Sequence, residues 1–215
     1  MEDDPMAWMR NLAAALAIGG VQAASAAEPG GHGGYEGPPY SVERAEGAIE
    51  LRSYAPHLVA EVTVEGDRSA AVLRGFRVLA GYIFGGNAEG REIAMTVPVA
   101  QSPALPGGGL VGSVRDAETG PWTVRFMMPS DFRPDTLPTP DDGRIRFLTT
   151  PAERQIVARF SGLPTSGAFD SHAEALRGWA AAWGLTITDG PHLYYYDDPM
   201  TLPWNRRNEI AFGVR

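Results

Sequence analysis

The stretches "AIELRSYAPHLVAEVTVEG" (residues 48–66) and "RIRFLTTPAERQIVARFSG" (residues 144–162) share one pattern: strand, kink, strand. The first kink falls at Pro56, and a matching one interrupts the second stretch. After Pro56, Leu58, Ala60, Val62 and Val64 fall on one face, with Val59, Glu61 and Thr63 on the other. That alternation is the mark of a strand buried on one side. The segments after these two stretches also match each other. "VLRGFRVLAGY" (72–82) and "ALRGWAAAWGL" (175–185) share Leu-Arg-Gly-aromatic and helical spacing. In the first, Val72, Phe76, Leu79 and Ile83 form an apolar stripe flanked by Arg74 and Arg77. In the second, His172, Leu176, Trp179 and Trp183 do so. Gly85, Gly86 and Asn87 supply the left-handed backbone that stops the first helix. The second starts either at a Ser171/Glu174 capping box or earlier, near Ser166.

Each helix is followed by two further strands. Residues 93–101 hold Pro98, expected at an edge or bulge, and residues 122–129 place Trp122, Val124, Phe126 and Met128 on one face. Residues 192–199 and 207–215 close the second unit. The chain thus reads as two βαββ units of roughly a hundred residues each, an internal duplication. One helix cannot cover a four-stranded face, so the two units pair to bury both apolar faces. The expected class is α+β: a distorted antiparallel β-barrel with two flanking helices and a pseudo-twofold repeat.

At 215 residues and 44% hydrophobic content, the chain supports one sizeable domain or two small ones sharing a core. It has no cysteine, which excludes disulfides, thiolate chemistry and Cys-ligated metals. A net charge of −8 argues against a nucleic-acid surface. Residues 1–27 read as a secretory signal peptide: Arg10, an apolar run from Asn11 to Val21, and Ala24-Ser25-Ala26 as a small-x-small cleavage signal. The expected location is therefore secreted, in the periplasm, with nothing spanning a membrane after cleavage. Residues 28–39 are Gly/Pro-rich and linker-like, with His32 solvated, and the folded domain is expected over residues 40–215.

"IELRSYAPHLVAEVTVEG", "GFRVLAGYIFGGN", "IAMTVPV", "RFMMPSDF" and "YYDDPMTLPWNRRNEI", in this order from Ser41 to Val214, resemble the SOUL haem-binding protein family. The resemblance implies a distorted antiparallel barrel built from a repeated βαββ unit. It also implies that haem b or a related tetrapyrrole binds, without covalent attachment, in a shallow apolar groove that includes the first helix. Some members carry a histidine directly before the first-strand tyrosine. Here that position is Ser53, so their axial ligand is absent. Basic residues implicated on the helix of other members align with Leu73 and Gly81.

A haem site needs an apolar slot, cations for two propionates and usually an axial ligand. The candidate cofactor-binding residues are Arg74, Phe76, Arg77, Leu79 and His57. Arg74 and Arg77 suit propionates because guanidinium binds carboxylate bidentately, or else they form a solvated helix face. Phe76 and Leu79 are apolar whether they face a ligand or the sheet. His57 is either a haem-iron ligand or an exposed histidine at the kink; strict alternation puts it with Ser53, and Pro56 leaves that open. His172 and His192 read first as packing residues. Met127, opposite Phe126, reads as groove-lining or packing. Glu209, in "RRNEI", reads as a buried acid in a structural network or as a general acid or base. No Ser-His-Asp, HExxH or phosphate-loop pattern occurs, so no catalytic residue is assigned. The expected function is a non-catalytic tetrapyrrole carrier, buffer or scavenger. The alternatives are a stand-alone small-molecule module resembling the effector-binding domains of gyrase-inhibitor-like proteins, or a tetrapyrrole-modifying enzyme.

Overall fold

The computed structural model describes residues 30–105 and 109–215; the expected signal peptide, residues 1–27, lies outside the described residues. Among the described residues, nine strands and two α-helices run in the order β1 (Tyr40–Glu46), β2 (Ile49–Tyr54), β3 (Leu58–Asp67), α1 (Arg68–Ile83), β4 (Val99–Pro103), β5 (Thr119–Met127), β6 (Arg146–Thr149), β7 (Glu153–Phe160), α2 (Ser166–Ala182), β8 (Ile187–Tyr195) and β9 (Asn208–Val214). The strands form one antiparallel sheet in the order β1-β2-β7-β9-β8-β4-β5-β3-β6. Setting β1 aside, that order maps onto itself when the first half of the chain is exchanged for the second.

The expected barrel is corrected to an open, curled sheet. β2 pairs with β7 and β3 with β6 in one continuous register, from Ile49↔Ala158 to Leu58↔Thr149. Between the two ladders the kinks at Ala55–His57 and Thr150–Ala152 face each other. Pro56 and Pro151 have no N–H to donate, so the ladder breaks where it would close. Hydrogen bonds between His57 and Thr150 span the gap, Thr150 N to His57 O at 2.9 Å and His57 N to Thr150 Oγ1 at 3.2 Å. β1 and β6 remain as edges that do not pair with each other.

Both helices lie on one face. Asp67 caps α1 by accepting from Ala70 N, and Thr165 caps α2 by accepting from Ala168 N, so the second helix starts at the earlier of the two expected positions. Beneath them Leu51, Val62, Trp122, Val124, Ile156 and Phe212 form one core with Leu79 and Leu176 of the helices. α1 sits close to the sheet at Gly75, where a Cβ would meet Val124 Cγ2 at 2.5 Å. Gly75→Ala should therefore destabilise, since an overpacking cost of ~1–3 kcal/mol exceeds the ~1 kcal/mol gained in helix propensity. A urea midpoint at or above the parent's would show that the helix lifts without cost.

The stretch expected as a strand over 93–101 forms β4 only from Val99. Ahead of it the chain makes an isolated bridge, Glu36↔Thr96, because Pro98 cannot donate to a ladder. Residues 30–39, linker-like in composition, run along the domain. Val97 N donates to Glu36 O at 2.8 Å, and His32 Nε2 lies 2.9 Å from Asp197 Oδ1. Among the described residues no helix is long and apolar enough to cross a membrane.

Candidate functional site

Alternation along the strands decides which side chains face away from the helices. On β3 and β5 these are Val59, Glu61, Thr123, Arg125 and Met127; on β4 and β8 they include Ala100, Ser102, His192 and Tyr194. Because the sheet curls, residues from nearly its whole width line one groove of about 190 Å³, including Tyr54 on β2, Gln155 on β7 and Leu148 on β6. That is smaller than the roughly 300–1,000 Å³ of an enclosing small-molecule pocket. A flat ligand would be gripped here over part of its surface, not swallowed.

His57 belongs to this groove. The kink shifts the alternation by one residue. Ser53, on the Leu51 face of β2, donates to the Glu43 carboxylate, whereas His57 joins Tyr54 on the groove face. Strict alternation would put Ser53 and His57 on one face; the kink at Pro56, which left that open, sets them on opposite faces. At the kink, where Ala55 N donates to Pro39 O on the β1 side, His57 Nδ1 lies 2.9 Å from the Ala55 carbonyl and 3.0 Å from Thr150 Oγ1.

The other four expected cofactor residues are elsewhere. Arg74, Phe76, Arg77 and Leu79 belong to α1, on the opposite side of the sheet from His57. Leu79 is fully covered in the core. Phe76 is half-buried and packs edge-on against Phe126, with centroids 5.4 Å apart. Arg74 is exposed and donates to the Glu65 carbonyl, and Arg77 is also exposed. The structure therefore does not bring His57 together with the helix residues.

Polar side chains at one end of the groove are fixed by a buried network. Arg52 donates twice to Glu209, at 2.8 and 3.0 Å, once to Glu50 at 2.6 Å and once to Tyr54 Oη at 3.0 Å. Arg207 donates to Glu209 Oε1 at 2.8 and 3.0 Å and stacks over Tyr196, whose hydroxyl donates to Glu209 Oε2 at 3.0 Å. Burial alone would raise the Glu209 carboxyl, but the two guanidiniums outweigh it and hold the group below its ordinary value. Burial pushes the phenols of Tyr54, Tyr194 and Tyr196 up. Glu209 is fully buried with both oxygens engaged, which fits the network reading and leaves no face for general acid–base work. Across the groove, Tyr194 Oη donates to Gln155 Oε1 at 2.9 Å, and Arg125 donates to Glu61 at 2.8 Å.

The remaining histidines separate cleanly. His192 lines the groove, with Nε2 2.6 Å from Asp189 Oδ1. His172 is tied to the Ala168 carbonyl at 2.8 Å and stacks on Phe160. Met127 lines the groove, the first of its two expected roles. Tyr54, Arg125 and Thr150 also line it, although the sequence reading assigns none of them to the site. Strand parity points to Arg125, whereas Thr150 reaches the site only through the meeting of the two kinks. Among the described residues, no group of three or more acidic or histidine side chains could hold a bare metal ion.

Comparison with known proteins bears on family and fold. A family model described as SOUL heme-binding protein matches residues 35–213. No curated protein matches the sequence. Among solved structures, the C-terminal domain of EcmrR is similar at 14% identity and TM-score 0.57, covering 82% of this chain and 98% of that one. A protein described as a hydrolase from Listeria innocua is similar at 16% identity and TM-score 0.53, covering 80% and 94%. At these identities the two likenesses concern the fold alone.

Proposed function

The chain belongs to the SOUL haem-binding protein family, and from that premise we propose that it binds haem or a related tetrapyrrole in the groove opposite the helices, as a non-catalytic carrier, buffer or scavenger. The observation that carries this placement is the groove itself. It combines apolar walls at Val59, Pro98, Met127 and Leu148 with a half-buried histidine, and Arg125 offers a cation for a propionate. A planar, largely apolar ligand with two carboxylates matches that chemistry. The α1 face pairs cations with apolar residues, but its helix adds no histidine or methionine, and its one tyrosine, Tyr82, is buried.

Two further proposals accompany this one. Residues 1–27 act as a signal peptide, so the mature protein works in the periplasm. The two halves of the domain descend from one duplicated βαββ unit, a reading supported by the symmetric strand order.

Titrating the purified chain with hemin should give a saturable Soret change near 1:1 stoichiometry, and its absence would overturn the function. Arg74→Ala and Arg77→Ala should bind as the parent does. Loss of saturable binding in either would move the ligand to the helix face. Incubation with hemin and a reductant should yield no new product; bleaching of the Soret band with product formation would make the protein an enzyme. A folded chain that ignores hemin would point to another small molecule in the same groove.

A further inference from the structure

Of the groups that line the groove, three kinds can ligate iron: two histidines, three tyrosines and a methionine. Their hydrogen bonds rank them. A backbone carbonyl only accepts, so the ring nitrogen 2.9 Å from Ala55 O must carry a proton, and that nitrogen is His57 Nδ1. Neutral His57 is then the Nδ1–H tautomer, with its lone pair on Nε2. Nε2 makes no hydrogen bond among the described residues. A histidine whose Nδ1–H is held by a backbone carbonyl is oriented for ligation through Nε2. Thr150 Oγ1, 3.0 Å from the same Nδ1, steadies the ring from the facing kink.

His192 is arranged the other way round. Its Nε2 faces the Asp189 carboxylate at 2.6 Å, which also only accepts. The lone pair is left on Nδ1, next to the ring's own Cβ, where the side-chain stem crowds the approach of a macrocycle. The local backbone holds this arrangement in place. Asp189 packs against Gly213, where a Cβ would clash with its Oδ2. The tyrosines would have to ligate as phenolates. The hydroxyls of Tyr194 and Tyr196 donate to Gln155 and Glu209, that of Tyr54 is bonded to Arg52, and burial keeps all three protonated.

We propose that His57, through Nε2, is the axial iron ligand of this chain, held in its ligating tautomer by the Ala55 carbonyl at the kink. The inference rests on the haem-binding reading above and replaces the ligand that Ser53 cannot supply. It places the iron at the seam between the two kinks, so Pro56 and Pro151 serve the site by stopping the ladder.

The test is resonance Raman spectroscopy of the full chain, loaded with hemin and reduced. An iron–histidine stretching mode should be present in the parent, His192→Ala and Met127→Leu proteins. It should be absent in His57→Ala and return when free imidazole is added to that variant. Outer partners of a ligand are worth about 10–100-fold in metal affinity, so losing the ligand itself should weaken hemin binding by ~10-fold or more. A mode retained by His57→Ala, lost in His192→Ala, or missing from a parent that binds hemin would overturn the ligand assignment and leave the functional reading standing. A parent that binds no hemin would overturn the functional reading itself. Circular dichroism of His57→Ala, matched to the parent, separates loss of the ligand from loss of the fold.

Discussion

Replacing Glu209 by Gln should lower stability by ~3–5 kcal/mol, the usual cost of removing one partner from a buried ion pair. Glu209 is fully buried and Arg52 is 1% exposed, with Arg207 beside them at 8%. The substitution keeps the shape and removes the charge, leaving two buried guanidiniums with no carboxylate between them. Since a domain holds only ~5–15 kcal/mol in total, a large fraction would be lost. Urea unfolding measures it. A change under ~1 kcal/mol would mean that water reaches the arginines. The contrast is the triple replacement Arg52→Met, Glu209→Leu, Arg207→Met, which should come much closer to the parent, because removing a whole buried ionic cluster spares the desolvation of its members.

The same network shapes the dependence on pH. The Glu209 carboxyl lies below its ordinary value in the folded chain, so its contribution is complete above the unfolded value of ~4.3 and is lost as pH falls through the folded one. The phenols of Tyr54, Tyr194 and Tyr196 are raised, so the opposite holds for them. Their contribution is complete below the unfolded value of ~10 and is lost as pH climbs through the folded values. Stability from these groups should therefore be level between pH ~5 and ~9. The acid limb should flatten in Glu209→Gln while the alkaline limb stays.

How far the sequence foretells this arrangement depends on whether the cause is local. Alternation after Pro56 correctly assigns Leu58, Ala60, Val62 and Val64 to the core, and the same rule sets Met127 opposite Phe126. Both follow from the two-residue period of a strand, which neighbouring residues reveal. β1 has no such signal. Six of its seven residues are exposed, and its charged side chains suit an edge that must not pair further. Arg52 is equally hidden. A charged residue within a strand reads as solvent-facing, and the partner that justifies its burial lies 157 positions away. The groove is partly legible: the tyrosine and histidine of "HLYYY" share parity, whereas the position of His57 turns on a one-residue shift at the kink. Whether the sheet closes is not legible either. That depends on two prolines, far apart in sequence, interrupting the same ladder from both sides.

Asn87→Ala should cost about 3 kcal/mol, for a reason that changes the meaning of "GGN". A left-handed backbone is needed at Gly85, with φ at +98°, but no residue other than glycine adopts positive φ among the described residues. Asn87 acts through its side chain instead. Buried to 4% exposure, its amide donates to the Tyr82 carbonyl at 3.1 Å and the Arg91 carbonyl at 2.7 Å, and accepts from Arg91 N at 3.0 Å. Gly86 brings the chain close enough for this, since a Cβ there would meet the Gly81 carbonyl oxygen at 2.6 Å. Together they fold the loop back so that Ile93 N can donate to Ile83 O at 2.8 Å. Alanine would strand the Arg91 carbonyl and N–H and leave the Tyr82 carbonyl with only the long bond from Gly85 N at 3.4 Å, at roughly 1 kcal/mol or more for each lost bond. Asn87→Asp should be no better, because a carboxylate would face two carbonyl oxygens with nothing to donate. Urea unfolding gives the magnitude, and hydrogen exchange at Arg91 and Ile93 locates it. Fast exchange at those two amides with an unchanged core marks the loop as the seat of the loss, whereas parent-like protection in Asn87→Ala would leave Gly86 alone holding the turn.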